Sequence, residues 1–202
     1  MNLTPDPLPP EGEAAKPRRP WPRRLLTIVG LWGVISILVF GILGGGNKGG
    51  PEAGSPAVMM KVPQLGASAP FDMATLKGKT VLLDFWATHC GPCKKTLPAL
   101  QTVYQRYKDD PDVVIMSVNL DMGAQRVPMV ARYMKSRKLS FPVLMDTGAL
   151  ANAYNVQFIP LLVVVDPAGK VMKAEVGIKG QDVGAIVTHL VKAVEEARGP
   201  SS

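Results

Sequence analysis

Cys90 and Cys93 are the only cysteines in 202 residues, and Gly91 and Pro92 separate them. That spacing excludes a disulfide framework stapling distant segments, and leaves local chemistry: metal binding or thiol-disulfide exchange. A zinc site would need two further ligands. The histidines are His89, beside the pair, and His189, far downstream, so no ligand cluster is written locally. Exchange suits the surroundings better. The pair follows an apolar strand-like run and opens a helical pattern, where unpaired N–H groups and the positive end of the helix dipole stabilise an anion. Cys90 is therefore the expected nucleophile, ionising more easily than a free cysteine. Cys93, nearly one turn later, is expected to lie deeper but within reach, and to resolve a mixed disulfide held on Cys90. Pro92 lacks an N–H in a first turn that needs none, so it fixes the geometry at no cost in hydrogen bonding. No cofactor is called for beyond the cysteine pair itself.

The elements that must carry this pair can be read from apolar patterning. Val81 to Trp86, Val113 to Asn119 and Leu161 to Asp166 are short, largely β-branched or aromatic runs bounded by turn residues, which predicts buried strands covered on both faces. The turn Asp166 to Gly169 predicts a hairpin into a further strand, Lys170 to Val176, and Phe141 to Met145 is a shorter extended candidate. Helical patterns cover Cys93 to Tyr107, Val127 to Arg137 and Asp182 to Ala197. Alternating strands and helices that end in a hairpin and a helix predict an α/β fold with a mixed central sheet flanked by helices.

The first part of the chain has a different character. Residues 1–24 are rich in proline and charge, with no face to bury, and are expected to be a disordered tail. Leu25 to Leu43 contains no charge, and at 1.5 Å per residue makes roughly 28 Å of helix, enough to span a bilayer. Lys16, Arg18, Arg19, Arg23 and Arg24 precede it and outweigh Lys48 beyond it. The positive-inside rule then leaves the tail in the cytoplasm and exports the rest. A cleaved signal peptide is the competing reading, but such a core is shorter and is followed by an A-x-A-like site rather than Gly44, Gly45 and Gly46. Residues 44–57, rich in Gly, Pro and Ser, read as a flexible tether. The expected domain occupies 58–198. A net charge of +7, from 23 Lys plus Arg against 16 Asp plus Glu, is scattered and has little aromatic sequence interleaved, so nucleic acid is not an expected partner.

The run DFWATHCGPC resembles the thioredoxin superfamily. The apolar span, GPCKKTLP and the long connection after Asn119 resemble its TlpA/ResA-like branch of membrane-anchored thiol-disulfide oxidoreductases, over roughly residues 58 to 198. The resemblance implies a thioredoxin-like fold of four or five strands. It implies that Asp84 is the buried acid that handles the proton of Cys93. It also implies that Pro160 is cis and packs beside the cysteines, with the Ile159 backbone pairing with an extended substrate. Leu161 stands where the family often has Thr. His89 replaces an aromatic residue, and a charged imidazole there would stabilise the Cys90 thiolate and make the couple more oxidising. Trp86 is expected to pack around the site, Pro98 to kink the first helix, Gly177 to permit close backbone approach, and most of the ten methionines to fill the core.

The expected activity is reduction of disulfides in exported proteins, for example in cytochrome c maturation or copper-site assembly. Electrons would come from a membrane donor, at the inner membrane with the catalytic domain periplasmic or otherwise extracytoplasmic. An oxidase or isomerase is the same chemistry at another potential. A copper chaperone using Cys90, Cys93 and His89 or His189 is the reading from another class. A peroxidase would need a different cysteine motif.

Overall fold

A computed structural model describes residues 49–199, apart from 178 and 181. The expected tail 1–24 and apolar span 25–43 lie outside these residues. Among the described residues no helix is long and apolar enough to cross a membrane. The elements are β1 (Lys61–Val62), β2 (Phe71–Asp72), a 3-10 turn (Met73–Leu76), β3 (Thr80–Trp86), α1 (Cys93–Tyr107), β4 (Val113–Asn119) and α2 (Arg126–Ser136). They continue with β5 (Val143–Met145), α3 (Ala149–Ala153), β6 (Leu161–Val165), β7 (Val171–Val176) and α4 (Val183–Arg198).

Five strands form one mixed sheet in the order β5-β4-β3-β6-β7. β4 runs parallel to β3 and to β5, while β6 is antiparallel to both β3 and β7. Every residue of β3 is buried, as its apolar run requires at the centre of a sheet covered on both faces. Successive side chains alternate between faces. Leu82 and Trp86 pack with α1, α2 and α4, whereas Val81, Leu83 and Phe85 pack on the other face with Met73, Leu150 and Tyr154. Asp84 falls on the same parity as Leu82 and Trp86, so it is driven beneath the helices that carry the cysteines.

The sequence-based boundaries hold for the sheet and the three long helices to within one or two residues. The 44–57 tether is corrected in part. From Gly50 onward it is bonded to the domain: Gly50 N–H donates to Asn155 O at 2.7 Å, Gly54 N–H to Val171 O at 2.7 Å and Ala57 N–H to Gly169 O at 2.8 Å. The folded domain therefore includes at least eight residues before the expected start at residue 58. At the opposite edge, Leu65 N–H donates to Val143 O and Met145 N–H to Pro63 O. Segments preceding β3 thus engage both outer strands, where unpaired backbone would otherwise invite association with another chain. Core filling accounts for only part of the methionine content. Met73, Met116, Met134 and Met145 are buried, but Met59, Met122, Met129 and Met172 are exposed.

Candidate active site

The strand-to-helix transition places the cysteines as the spacing predicts. β3 ends at Trp86, a tight turn donates Cys90 N–H to Ala87 O at 3.1 Å, and α1 opens at Cys93 behind Pro92. Cys90 and Cys93 form a disulfide with Cα atoms 5.3 Å apart. Cys90 is 7% exposed and Cys93 fully buried, so an incoming thiol or disulfide meets Cys90 first. The Cys93 N–H donates to Cys90 Sγ at 3.2 Å, one of the helix-start donors that would hold a thiolate there. Gly91 and Pro92 are exposed beside it, and a side chain at Gly91 would meet nothing within 4 Å. Pro98 lies within α1 on its exposed side.

Asp84 is 2% exposed, and its Oδ2 has no hydrogen-bond partner. Burial pushes its carboxyl up to about 8, opposed by a hydrogen bond with Thr96. The Thr96 hydroxyl also donates to Cys93 O at 3.0 Å, so one hydroxyl stands between the acid and the second cysteine's backbone. With only one proton to give, that hydroxyl can serve the carbonyl while Asp84 is protonated, or turn to Asp84 when it ionises. An acid held protonated near neutral pH can exchange its proton with a neighbouring thiol.

The Ile159–Pro160 peptide bond is cis, as the resemblance implies. Pro160 is buried, Ile159 is half-buried against the core on both sheet faces, and Phe158 before them is exposed. The Pro160 carbonyl accepts from Gly177 N–H at 2.8 Å. Gly177 has φ 87°, and a side chain there would meet nothing within 4 Å. Glycine is required for its positive φ rather than for the close approach expected.

Trp86 is fully buried, with Nε1 donating to Ser117 Oγ at 3.1 Å and its ring 5.3 Å from that of Tyr133. It supports the site from beneath. His89 is 77% exposed, and its Nδ1 lies 3.2 Å from Asp121 Oδ1. Asp121, which the sequence reading missed, is buried and gathers the approach to the cysteines: it accepts from Thr88 N–H at 2.8 Å, Thr88 Oγ1 at 2.9 Å and Asn119 Nδ2 at 2.8 Å. Burial raises the Asp121 carboxyl, but the bonds from Asn119, Thr88 and His89 together outweigh it and hold the group below its ordinary value. The available signal was an acid two residues past the end of a buried strand. His189 binds Glu175 rather than joining the cysteines. Among the described residues no group of three or more His, Cys, Asp or Glu is arranged to hold a metal ion.

Residues 52–190 match the Redoxin family model. The chain is similar to the thiol-disulfide oxidoreductase ResA of Bacillus subtilis, at 35% identity over 125 residues, covering 61% of this chain and 68% of ResA. It is also similar to the sporulation thiol-disulfide oxidoreductase A of B. subtilis, at 34% identity, covering 50% of this chain and 61% of that protein. Among solved structures, StoA from B. subtilis aligns with a TM-score of 0.58 at 26% identity, over 70% of this chain and 99% of that one. A putative DsbE-type thiol:disulfide interchange protein from Chlorobium tepidum aligns with a TM-score of 0.61 at 25% identity, over 72% of this chain and 99% of that one.

Proposed function

The chain belongs to the Redoxin family, as a TlpA/ResA-like thiol-disulfide oxidoreductase of the thioredoxin superfamily, and from that premise we propose that it reduces disulfides of exported proteins through Cys90 and Cys93. The observation that carries the reading is the graded burial of the pair at the start of α1, with Cys93 N–H on Cys90 Sγ and an orphaned acid beneath. In the reducing direction the Cys90 thiolate attacks a client disulfide and expels one client thiolate. Asp84, once it has released its own proton, takes that of Cys93, whose thiolate attacks Cys90 Sγ, and the second client sulfur leaves as a thiolate. The Ile159 backbone beside Pro160 would hold the client strand during both steps, next to the exposed Phe158.

Clients in cytochrome c maturation or copper-site assembly fit this chemistry, as does a membrane electron donor that returns the pair to the dithiol. Residues 25–43 would anchor the domain to the inner membrane, facing the periplasm or its equivalent. Trapping with Cys93→Ser tests the reading, because a client caught on Cys90 cannot then be released. Mixed disulfides identifiable by mass spectrometry are the expected result, and no adduct from an oxidised envelope would count against exchange. The potential of the Cys90/Cys93 couple separates a reductase from an oxidase or isomerase.

A further inference from the structure

Asp84 is closed off from bulk solvent, yet leaves Oδ2 unpartnered, and a buried polar atom without a partner calls for an explanation. It lines a narrow cleft of about 20 Å³, space for roughly one water, whose walls include Thr96, Pro160, Glu175, Lys179 and His189; neither cysteine lines it. Strand register puts Glu175 there. Asp84 is opposite Leu162 on β6, and Leu162 is opposite Glu175 on β7. Directly opposed residues share a face and neighbouring strands stand about 4.8 Å apart, so Glu175 lies about 10 Å along the row from Asp84. From α4, His189 Nε2 meets Glu175 Oε2 at 2.5 Å, and Lys173 Nζ meets Glu175 Oε1 at 3.2 Å.

We propose that the Glu175–His189 pair is the outer station of a proton path that joins Asp84 to solvent through this cleft. The inference rests on the assignment of Asp84 as proton acceptor for Cys93. A client bound on Cys90 covers the front of the site, and the cleft provides a separate exit. An acid that rests protonated must first release that proton before it can accept another. The groups facing the path are Thr96 from α1, Lys173 and Glu175 from β7, Lys179 beyond β7, and His189 from α4. Burial raises the Glu175 carboxyl, but the hydrogen bonds and charges of His189 and Lys173 outweigh it and keep Glu175 below the ordinary range. The inner acid therefore holds its proton and the outer one is ionised.

In the resolving step, Asp84 passes its proton by way of water to the Glu175–His189 pair and on to solvent. Its carboxylate takes the Cys93 thiol proton, and the Cys93 thiolate forms a bond to Cys90 Sγ. The Cys90–client S–S bond breaks, with its electron pair leaving on the client sulfur, which takes a proton from solvent. One proton leaves by the cleft and one is taken up by the client. Asp84 ends protonated.

The test is the two-phase release of thionitrobenzoate when the full-length reduced protein meets its disulfide dimer. The first phase reports attack by Cys90 and the second resolution by Cys93. In His189→Ala and in the volume-conserving Glu175→Gln, the second phase near neutral pH should slow by about tenfold, the lower range of acid–base effects, with the first phase unchanged. The pH profile of that phase should shift, and added imidazole should restore His189→Ala. A second phase within about twofold of the parent across the profile, or one slowed but indifferent to imidazole, overturns the path. If Asp84→Asn slows the second phase and neither outer variant does, the path alone fails. If Asp84→Asn also leaves it unchanged, the assignment of Asp84 fails with it.

Discussion

The backbone N–H of Cys93 points at Cys90 Sγ from 3.2 Å, so the second cysteine stabilises the first through its main chain as well as pairing with it through sulfur. In the reduced protein that donor faces a thiolate. Iodoacetamide should alkylate Cys90 first, with a midpoint in the rate–pH profile below the value of about 8.5 for a free cysteine. Measuring the profile by mass spectrometry checks this, and a midpoint at or above that value would remove the helix-start argument.

His89 stands exposed one residue before Cys90, with its Nδ1 3.2 Å from Asp121 Oδ1. A positive imidazole there would favour the thiolate, and the Asp121 carboxylate would oppose it. His89→Gln should therefore make the potential more negative, by no more than about 30 mV, and Asp121→Asn should move it the other way. Because the imidazole is exposed, the His89 shift should shrink as salt rises from roughly 0.01 M to 1 M. Equilibration against glutathione at both ionic strengths measures it, and a salt-independent shift would point to packing rather than charge.

Asp84 should make the fold pH-sensitive in a definite direction. Its carboxyl is raised to about 8 in the folded protein, against about 3.9 when unfolded. Below the lower value both states hold the proton, and nothing is lost. Between the two values only the unfolded state releases it, so stability falls by about 1.4 kcal/mol per pH unit, and above the upper value the loss is complete. Asp84→Asn should thus stabilise the oxidised domain little near pH 4 and by a few kcal/mol near pH 8. Urea unfolding at both pH values decides it; a gain independent of pH would mean that Asp84 is not held protonated.

Gly50 tests whether the segment before β1 belongs to the fold. It has φ 92°, and a side chain there would lie 3.1 Å from Leu161 Cδ1. Gly50→Ala should cost about 1–3 kcal/mol, the usual range for a non-glycine residue forced into that region. A loose tether would show no change in the unfolding midpoint.

The strands of the main sheet were legible because each is a short apolar run between turn residues, and Cys93–Tyr107 was legible because its opening motif and apolar spacing agree. The two-residue strands β1 and β2 carry no periodicity to read. α3 begins from Gly148 at φ 98°, with the side chain of Asp146 accepting from Leu150 and Ala151 N–H, a capping arrangement that acts at a distance along the chain. Residues 50–57 are held largely through backbone N–H and C=O groups, which every sequence possesses, so their Gly and Pro content suggested slack that the bonding removes. The cysteines and Pro160 declared themselves by motif. Asp121 and the Glu175–His189 pair did not, because each depends on which loop or strand is brought opposite, and only register reveals that.

The packing of Gly49 ties the segment before β1 to the redox site. A side chain at Gly49 would meet Gln157 at 3.2 Å and the Phe158 ring at 3.5 Å, and Phe158 stands two residues ahead of Pro160. A disturbance of the segment before β1 would therefore be felt at the rim of the redox site, beside Phe158, where a client strand is proposed to lie.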